Sequence, residues 1–214
     1  MRQNPTGIVS VKSFTNSWIE IREAGFLTGG RTLAATGYTQ GIMSETDRLF
    51  VDCSVRRLRE QLPRIETCLG MLSPEQVWTR GGENENAIGN LALHLCGNVR
   101  QWIIAGVGGE RDERDRDSEF SSRGGASTAE LSARLRQTVE EAVAIIAGLA
   151  PERLAMPLLV QGYRVTVLEA VYHVVEHFSY HTGQILFATK MLTGANLGFY
   201  RYLDGKRPHT EKTP

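Results

Sequence analysis

Four long stretches of the chain place apolar side chains at every third or fourth position, which is the spacing of an amphipathic helix. They follow Ser44, Asn86, Ser127 and Thr166, and each carries one apolar stripe along an otherwise polar sequence. Four such helices bury their apolar stripes most simply against one another. The sequence therefore predicts an all-α fold, an up-down four-helix bundle.

The ends of these helices carry recognisable local signals. Capping boxes, in which a hydroxyl side chain precedes Glu or Gln by three positions, occur at Ser73–Gln76, Ser127–Glu130 and Thr166–Glu169. Gly70 and Gly194 follow the first and last apolar stripes, where glycine commonly ends a helix. The box at residues 73–76 predicts a short helix, and the other two boxes start the third and fourth long helices.

Two segments fall outside the helical pattern. Residues 1–42 are rich in glycine and have no sustained period, so we expect a poorly structured N-terminal extension, in which residues 9–14 are the candidate for a short strand. Met43 offers an alternative start that would leave residues 43–214 as the bundle domain; the rival interpretation is a genuine arm with little order. Residues 158–165, rich in β-branched and aromatic side chains, favour a short extended stretch.

Composition excludes several classes of partner. The 24 basic and 24 acidic side chains cancel, so the chain has no general attraction to nucleic acid. The densest charge run, residues 110–117, is typical of a solvated loop. No apolar stretch approaches the roughly 20 residues that cross a bilayer, so no membrane partner is expected. Cys53, Cys68 and Cys96 follow no paired spacing and fit reduced thiols in a cytoplasmic protein.

Three of the five histidines lie four residues apart in the stretch HVVEHFSYH, residues 173–181. On a helix, His181 falls about 60° and His177 about 100° from the centre of the apolar stripe, one turn apart on one face. His173 falls about 140° away, towards solvent or another surface. The geometry therefore singles out the pair His177 and His181.

A fourth histidine lies on the margin of another apolar stripe. His94 follows Leu91 on the second helix, so it can face the pair His177 and His181 across the bundle. Three neutral imidazoles bind a divalent cation such as zinc or nickel and leave one coordination position open for water or substrate. The simpler alternative is that these histidines are hydrogen-bonded residues beside a core, without metal.

The two histidine segments resemble a known family. NLALHLCGNVRQWI on one helix and HVVEHFSYHTGQI on a later one are similar to the DinB/YfiT-like superfamily of metalloenzymes, in a branch of unknown function, over residues 44–200. The resemblance implies an up-down bundle, a divalent metal ion on His94, His177 and His181, and homodimers formed through bundle helices. Members with known chemistry are thiol-dependent transferases and isomerases that use low-molecular-weight thiols.

Two functional hypotheses follow. The first is a metal-dependent enzyme with a small-molecule substrate. Its metal ion would turn a low-molecular-weight thiol into a thiolate that attacks a small electrophile, or would activate water for hydrolysis. The second is a non-catalytic, metal-binding dimeric helical bundle.

Several further residues lie near the predicted site. Glu176, Tyr180, Gln184 and Asn98 are candidates for proton transfer or ligand contact, although plain surface exposure is the simpler interpretation of the first three. Gly183, in mid-helix, is predicted to let a neighbouring helix approach closely.

Overall fold

The computed structural model describes residues 44–201, together with the backbone of residues 8–12 and 18–22. Those two segments are strands β1 (Ile8–Lys12) and β2 (Trp18–Arg22), which pair antiparallel in a compact unit of their own, residues 1–39. The first strand agrees with the one predicted near residues 9–14. Met43, the alternative start, lies outside the described residues, so that suggestion remains a prediction.

The second unit is the predicted four-helix bundle. Its long helices are α1 (Glu45–Gly70), α2 (Ile88–Val99), which continues into a π-helical segment (Arg100–Val107), α4 (Thr128–Ala147) and α5 (Val167–Thr193). Helices α1 and α2 each pack against both α4 and α5, so the site-bearing helices α2 and α5 are direct neighbours. None of the helices described is long and apolar enough to cross a bilayer.

The predicted capping signals form as expected. In α4 the Ser127 hydroxyl accepts from Glu130 N, while the Glu130 carboxylate accepts from Ser127 N. Thr166 and Glu169 make the same reciprocal pair at the start of α5. Gly194 ends α5 with a φ of 65°, a left-handed conformation that glycine adopts without strain. These local bonds fix where each helix begins and ends.

The core lies where the apolar stripes of the four helices meet. Its largest fully buried side chains are contributed by α1, α2 with its π-helical continuation, α4 and α5, and include Leu58, Ile65, Leu69, Leu95, Ile103, Leu135, Ile146, Phe178 and Ile185. Burying each such side chain stabilises the fold by roughly 1.5–3 kcal/mol before conformational entropy is subtracted. The core therefore holds the inner faces of α2 and α5 in a fixed relation.

Two connections carry structure that the sequence shows only in part. A short helix, α3 (Arg116–Ser121), lies within the connection between α2 and α4 and packs against α2. Residues 158–165 belong to an antiparallel hairpin of β3 (Pro157–Val160) and β4 (Tyr163–Thr166), with a turn at Gln161 and Gly162. The extended stretch predicted there is confirmed. The antiparallel pairing of β3 with β4 was not predicted.

Candidate metal centre

Three imidazole nitrogens converge between α2 and α5. His177 Nε2 lies 3.1 Å from His94 Nε2 and 3.1 Å from His181 Nε2. One nitrogen from each of the three rings lies within 4.8 Å of the others. Two nitrogens bound tetrahedrally at the usual zinc distance of 2.0–2.1 Å would be about 3.4 Å apart. The donor set and its spacing therefore fit a divalent cation.

The outer nitrogens of two of these rings have fixed partners. His94 Nδ1 donates to Glu119 Oε2 at 2.9 Å, and His181 Nδ1 donates to Gln184 Oε1 at 2.7 Å. A proton held on Nδ1 leaves the lone pair on Nε2, which is the atom that faces the centre of the cluster. Carboxylate and amide groups thus prepare both rings to bind a metal through Nε2.

Glu119 is itself held in place by Arg114. The guanidinium donates from Nε to Oε1 at 2.7 Å and from Nη2 to Oε2 at 2.8 Å, a bidentate pair with the Arg114 side chain only 3% exposed. Burial alone would raise the pKa of Glu119. The hydrogen bonds from Arg114 and His94 together outweigh this effect, so the pKa of Glu119 lies below its usual value. The carboxylate that orients His94 is therefore ionised at neutral pH.

The connection that supplies Glu119 is anchored to the start of α2. Asn90 Nδ2 donates to Glu119 O at 2.8 Å and to Ser122 O at 2.9 Å, while Arg80 Nη2 donates to Phe120 O at 2.7 Å. Asn90 precedes His94 by one helical turn on the same face. Asn90 and His94 thus lie on one rigid helix, which holds the Glu119 carboxylate over the His94 imidazole.

A glycine makes room for this carboxylate. A Cβ added to Gly97 would overlap Glu119 Oε1 and the carboxyl carbon, and would crowd Arg114 Nε at 2.9 Å. Gly97 lies three residues after His94 on the same face of α2, so the Glu119 carboxylate that bonds His94 lies directly against the backbone of Gly97. Only a residue without a side chain allows that approach.

The central ring of the cluster is strongly biased towards its neutral form. Burial, followed by the nearby His181, His94 and His173, lowers the pKa of His177 to about 3. Burial also lowers the pKa of His181, even though its bond to Gln184 opposes the effect. Neutral imidazole is the form that binds metal, so these two rings need not release protons at pH 7.

His173 takes no part in the cluster and is not turned to open solvent. Its ring lies 4.1 Å, centroid to centroid, from Trp102, and Asn98 Nδ2 lies 3.4 Å from its Nε2. Burial lowers the pKa of His173. It therefore occupies the second of the two positions predicted for it, against another surface of the protein.

The other predicted candidates fall into two groups. Asn98 is 3% exposed and lies beside His173, so it is within reach of the cluster. Glu176, Tyr180 and Gln184 are exposed; Gln184 nevertheless bonds His181, and the Tyr180 ring meets the His181 ring edge-on at 5.1 Å. Gln184 is thus an orienting residue, whereas the Glu176 side chain makes no hydrogen bond or ion pair within residues 44–201.

One prediction holds with a single exception, and another is corrected by the structure. Residues 110–117 were expected to form a solvated loop, and all of them except Arg114 are exposed. The Arg114 side chain is only 3% exposed, because it pairs with Glu119, and its Nη2 lies 3.1 Å from His94 Nδ1. Gly183 was expected to admit a neighbouring helix, yet no atom lies within 4 Å of a Cβ added there. Gly183 lies instead on the exposed side of α5.

Glu119 and Arg114 are the site residues that sequence reasoning missed. Both residues belong to the site because Glu119 contacts His94, which lies 25 residues earlier in the sequence. No local sequence pattern predicts a contact between residues so far apart. One signal was available: Asp115 accepts from Ser118 N at 3.1 Å as the N-cap of α3. That Asp-x-x-Ser spacing marks an ordered turn within the charge run.

The fold defines a class of protein. It is similar to the crystal structure of a DinB-like protein (YjoA) from Bacillus subtilis, with a TM-score of 0.54 and 16% sequence identity. The match covers 69% of this chain and 97% of that one. The bundle therefore has the same fold as that DinB-like protein, which agrees with the fold that the sequence resemblance implies.

A family assignment follows from the sequence itself. The model of the family DUF1572, described as a protein of unknown function, matches residues 45–202. Since this match spans well over half of the chain, the protein belongs to the DUF1572 family. The search of curated proteins found no match.

Proposed function

We propose that this protein is a metal-dependent enzyme in which His94, His177 and His181 bind a divalent cation, zinc or nickel. The observation that supports the proposal is the convergence of three Nε2 atoms whose rings are held in the metal-binding tautomer at His94 and His181. Three protein ligands also leave a coordination position open.

The residues around the cluster have separable tasks. Glu119 orients His94 and stabilises positive charge that develops on its ring, and Arg114 keeps Glu119 ionised. Gln184 orients His181 from the exposed side of α5. When bound, the cation would supply Lewis acidity that lowers the pKa of a thiol or of water at the open position.

We further propose a low-molecular-weight thiol as cosubstrate and a small electrophile as substrate. Support comes from the resemblance of the two histidine segments to thiol-dependent transferases and isomerases. In the transfer reaction the thiolate sulfur would attack an electrophilic carbon, forming a C–S bond as the bond to the leaving group breaks, and the thiol proton would pass to solvent. The reducing cytoplasm fits this chemistry and the free thiols of Cys53, Cys68 and Cys96.

The first experiment is metal content by elemental mass spectrometry on untagged protein purified without chelator. We expect about one equivalent of zinc or nickel, lost in both His94→Ala and His177→Ala. His173→Ala is the matched control because it removes an imidazole from the same helix outside the cluster, and it should retain the metal. No metal in the native protein and none after reconstitution would refute the proposal, as would loss of metal in His173→Ala.

Activity is then tested on the metal-loaded protein. Glutathione and 1-chloro-2,4-dinitrobenzene are the first probe pair, with the thioether measured by absorbance and His177→Ala as the inactive control. Metal binding without turnover across a panel of thiols and electrophiles would leave the second function, a non-catalytic metal-binding dimer.

One observation favours a dimer in either case. A row of large apolar side chains lies exposed along α5, with Tyr172, Tyr180, Phe187 and Met191 between 58% and 71% exposed. They fall within an arc of about 100° on the helix. We propose that this exposed α5 row is the homodimer interface, because rows of this size are commonly covered by a partner.

A further inference from the structure

Buried polar atoms without a partner cluster on one side of the histidine centre. Within the described residues, four buried side-chain nitrogen or oxygen atoms make no hydrogen bond, and three of them are Asn98 Oδ1, Trp102 Nε1 and His177 Nδ1. Leaving such an atom unsatisfied typically lowers stability, so native proteins keep few of them unless a function requires it. Three in one neighbourhood call for a common explanation.

All three residues border the ring of His173. Asn98 Nδ2 lies 3.4 Å from His173 Nε2, the Trp102 ring centroid lies 4.1 Å from that of His173, and the His177 centroid lies 5.4 Å from it. Asn98 is 3% and Trp102 4% exposed. The three residues that carry the unsatisfied atoms therefore surround one ring, that of His173, and form a buried polar patch that adjoins the triad.

The local fold builds this patch with an unusual helix. Trp102 lies in the π-helical segment, where bonds such as Gly108 N to Ile103 O at 2.8 Å join residues five apart. Such wide turns shift the following side chains relative to an α-helix and are frequent at functional sites. Tyr163 of the hairpin stacks on Trp102 at 6.4 Å between centroids and is 60% exposed, so a single aromatic side chain of the hairpin lies between this face of Trp102 and solvent.

We infer that Asn98, Trp102 and His177 bind a neutral amide group of the substrate or cosubstrate. Trp102 Nε1–H and His177 Nδ1–H supply two donors, which match the two lone pairs of an amide carbonyl oxygen, and Asn98 Oδ1 accepts from an amide N–H. A carboxylate fits less well because both of its oxygens would face the lone pairs of Asn98 Oδ1. The inference rests on the proposed function in one respect: His177 carries its proton on Nδ1 when Nε2 faces a cation.

The position of the patch limits the size of the ligand. Asn98 follows His94 by one turn and His173 precedes His177 by one turn, which is a separation of about 6 Å along each helix. An amide at the patch would thus lie a few bonds from a sulfur atom at the open coordination position. The small amide-bearing thiol N-acetylcysteamine has these dimensions and is a suitable probe.

The test uses the indole N–H signals of the full-length protein in two-dimensional ¹⁵N NMR, with Trp102→Phe to assign the Trp102 signal. N-methylacetamide is titrated into metal-free and zinc-loaded protein. We expect a saturable downfield movement of the Trp102 N–H proton. The Trp78 signal is the internal control, because its Nε1–H already donates to Ala126 O at 2.9 Å and should not move. Asn98→Leu should weaken binding about tenfold, the loss expected for one hydrogen bond.

Three results would overturn the inference. In the first, N-methylacetamide does not move the Trp102 N–H signal. In the second, propionate moves that signal as much as N-methylacetamide does. In the third, Asn98→Leu binds N-methylacetamide with unchanged affinity while its Trp78 N–H signal keeps the native position. The first would mean that ordered water alone satisfies the patch. Asn98→Ala serves as a second variant if Asn98→Leu fails to fold, and it should also weaken binding, since it removes the acceptor oxygen Oδ1.

Failure of the proposed function can be told apart from failure of the inference. If zinc does not bind but N-methylacetamide still moves the Trp102 signal, the amide site stands and the metal proposal falls. If zinc binds and neither N-methylacetamide nor N-acetylcysteamine moves that signal, the metal centre stands and the amide site falls. Zinc-loaded protein should bind N-acetylcysteamine at least tenfold more tightly than pentanethiol, which has no amide.

Discussion

Glu119 and His94 are 25 residues apart in sequence, and their side chains meet at 2.9 Å between Oε2 and Nδ1, each 8% exposed. The contact joins the short helix α3 to the ligand-bearing helix α2. Because Arg114 pairs with both carboxylate oxygens, the ring of His94 is oriented by an ion pair rather than by an isolated side chain. The affinity for metal should therefore depend on residues that never touch the metal.

Glu119→Gln tests this dependence. The amide retains the shape of the carboxylate but loses its charge and its bidentate pairing with Arg114, so His94 should be less firmly oriented and less basic. We expect zinc affinity to fall by about 10- to 100-fold, measured by competition with a chromophoric chelator. Glu140→Gln is the control, since its carboxylate makes only an exposed pair with Arg59. Equal affinities for all three proteins would contradict the role given to Glu119.

The two glycines Gly97 and Gly183 make a matched pair. Gly97→Ala places a methyl group against the Glu119 carboxylate and should destabilise the fold by about 1–3 kcal/mol while weakening zinc binding. Gly183 lies within the arc of the exposed α5 row, so Gly183→Ala is measured in the monomeric double variant Phe187→Ser, Met191→Ser. There its methyl group meets no atom of the described chain, and it should stabilise the fold by about 0.5–1 kcal/mol with zinc affinity unchanged. Urea denaturation and the same chelator competition measure both effects. A stabilising Gly97→Ala would show that Glu119 can move aside freely.

The metal-free protein should lose stability as the pH falls below about 6.5. In the unfolded chain His177 has an ordinary pKa near 6.5, whereas in the folded protein its pKa is about 3. Between these values the unfolded state binds more protons, so the free energy of unfolding decreases as the pH decreases. One such proton accounts for at most about 1.4 kcal/mol per pH unit, and for less here because the ring is only partly buried.

Urea titrations between pH 6.5 and 5 measure this slope above the range in which carboxylates titrate. His177→Gln should flatten the profile, since it removes the proton acceptor from the unfolded state. An unchanged slope in that variant would assign the pH dependence to other groups, of which His173 and His181 are the nearest with lowered pKa values.

The exposed α5 row predicts a change in oligomeric state. The double variant Phe187→Ser, Met191→Ser should convert a dimer of twice 23.7 kDa into a monomer in sedimentation experiments, because the two most exposed apolar side chains of the row are lost. Leu159→Ser is the control, as Leu159 is 69% exposed on β3. A monomeric parent protein, or a dimer that persists in the double variant, would remove this row as the interface.

The bundle and the meeting of His94, His177 and His181 follow from helical periodicity, since angles around a helix axis decide which side chains face the core. Glu119 does not follow, because its place depends on bonds from Asn90 and Arg80 that fold a connection back onto α2. The π-helical segment also escapes prediction. Its hydrogen bonds join residues five apart instead of four apart, and this change does not alter the spacing of the apolar residues in the sequence.

The halves of the proposed metal centre are far apart in the chain: His94 and His177 are separated by 83 residues. At common synthesis rates of 5–20 residues per second, a ribosome takes roughly 4–17 s to pass from one to the other. During that interval a nascent chain has only a single ligand and cannot retain a cation by chelation. Under the proposed function, loading would follow the arrival of the last helix, and metal content would report how much newly made protein has completed its bundle.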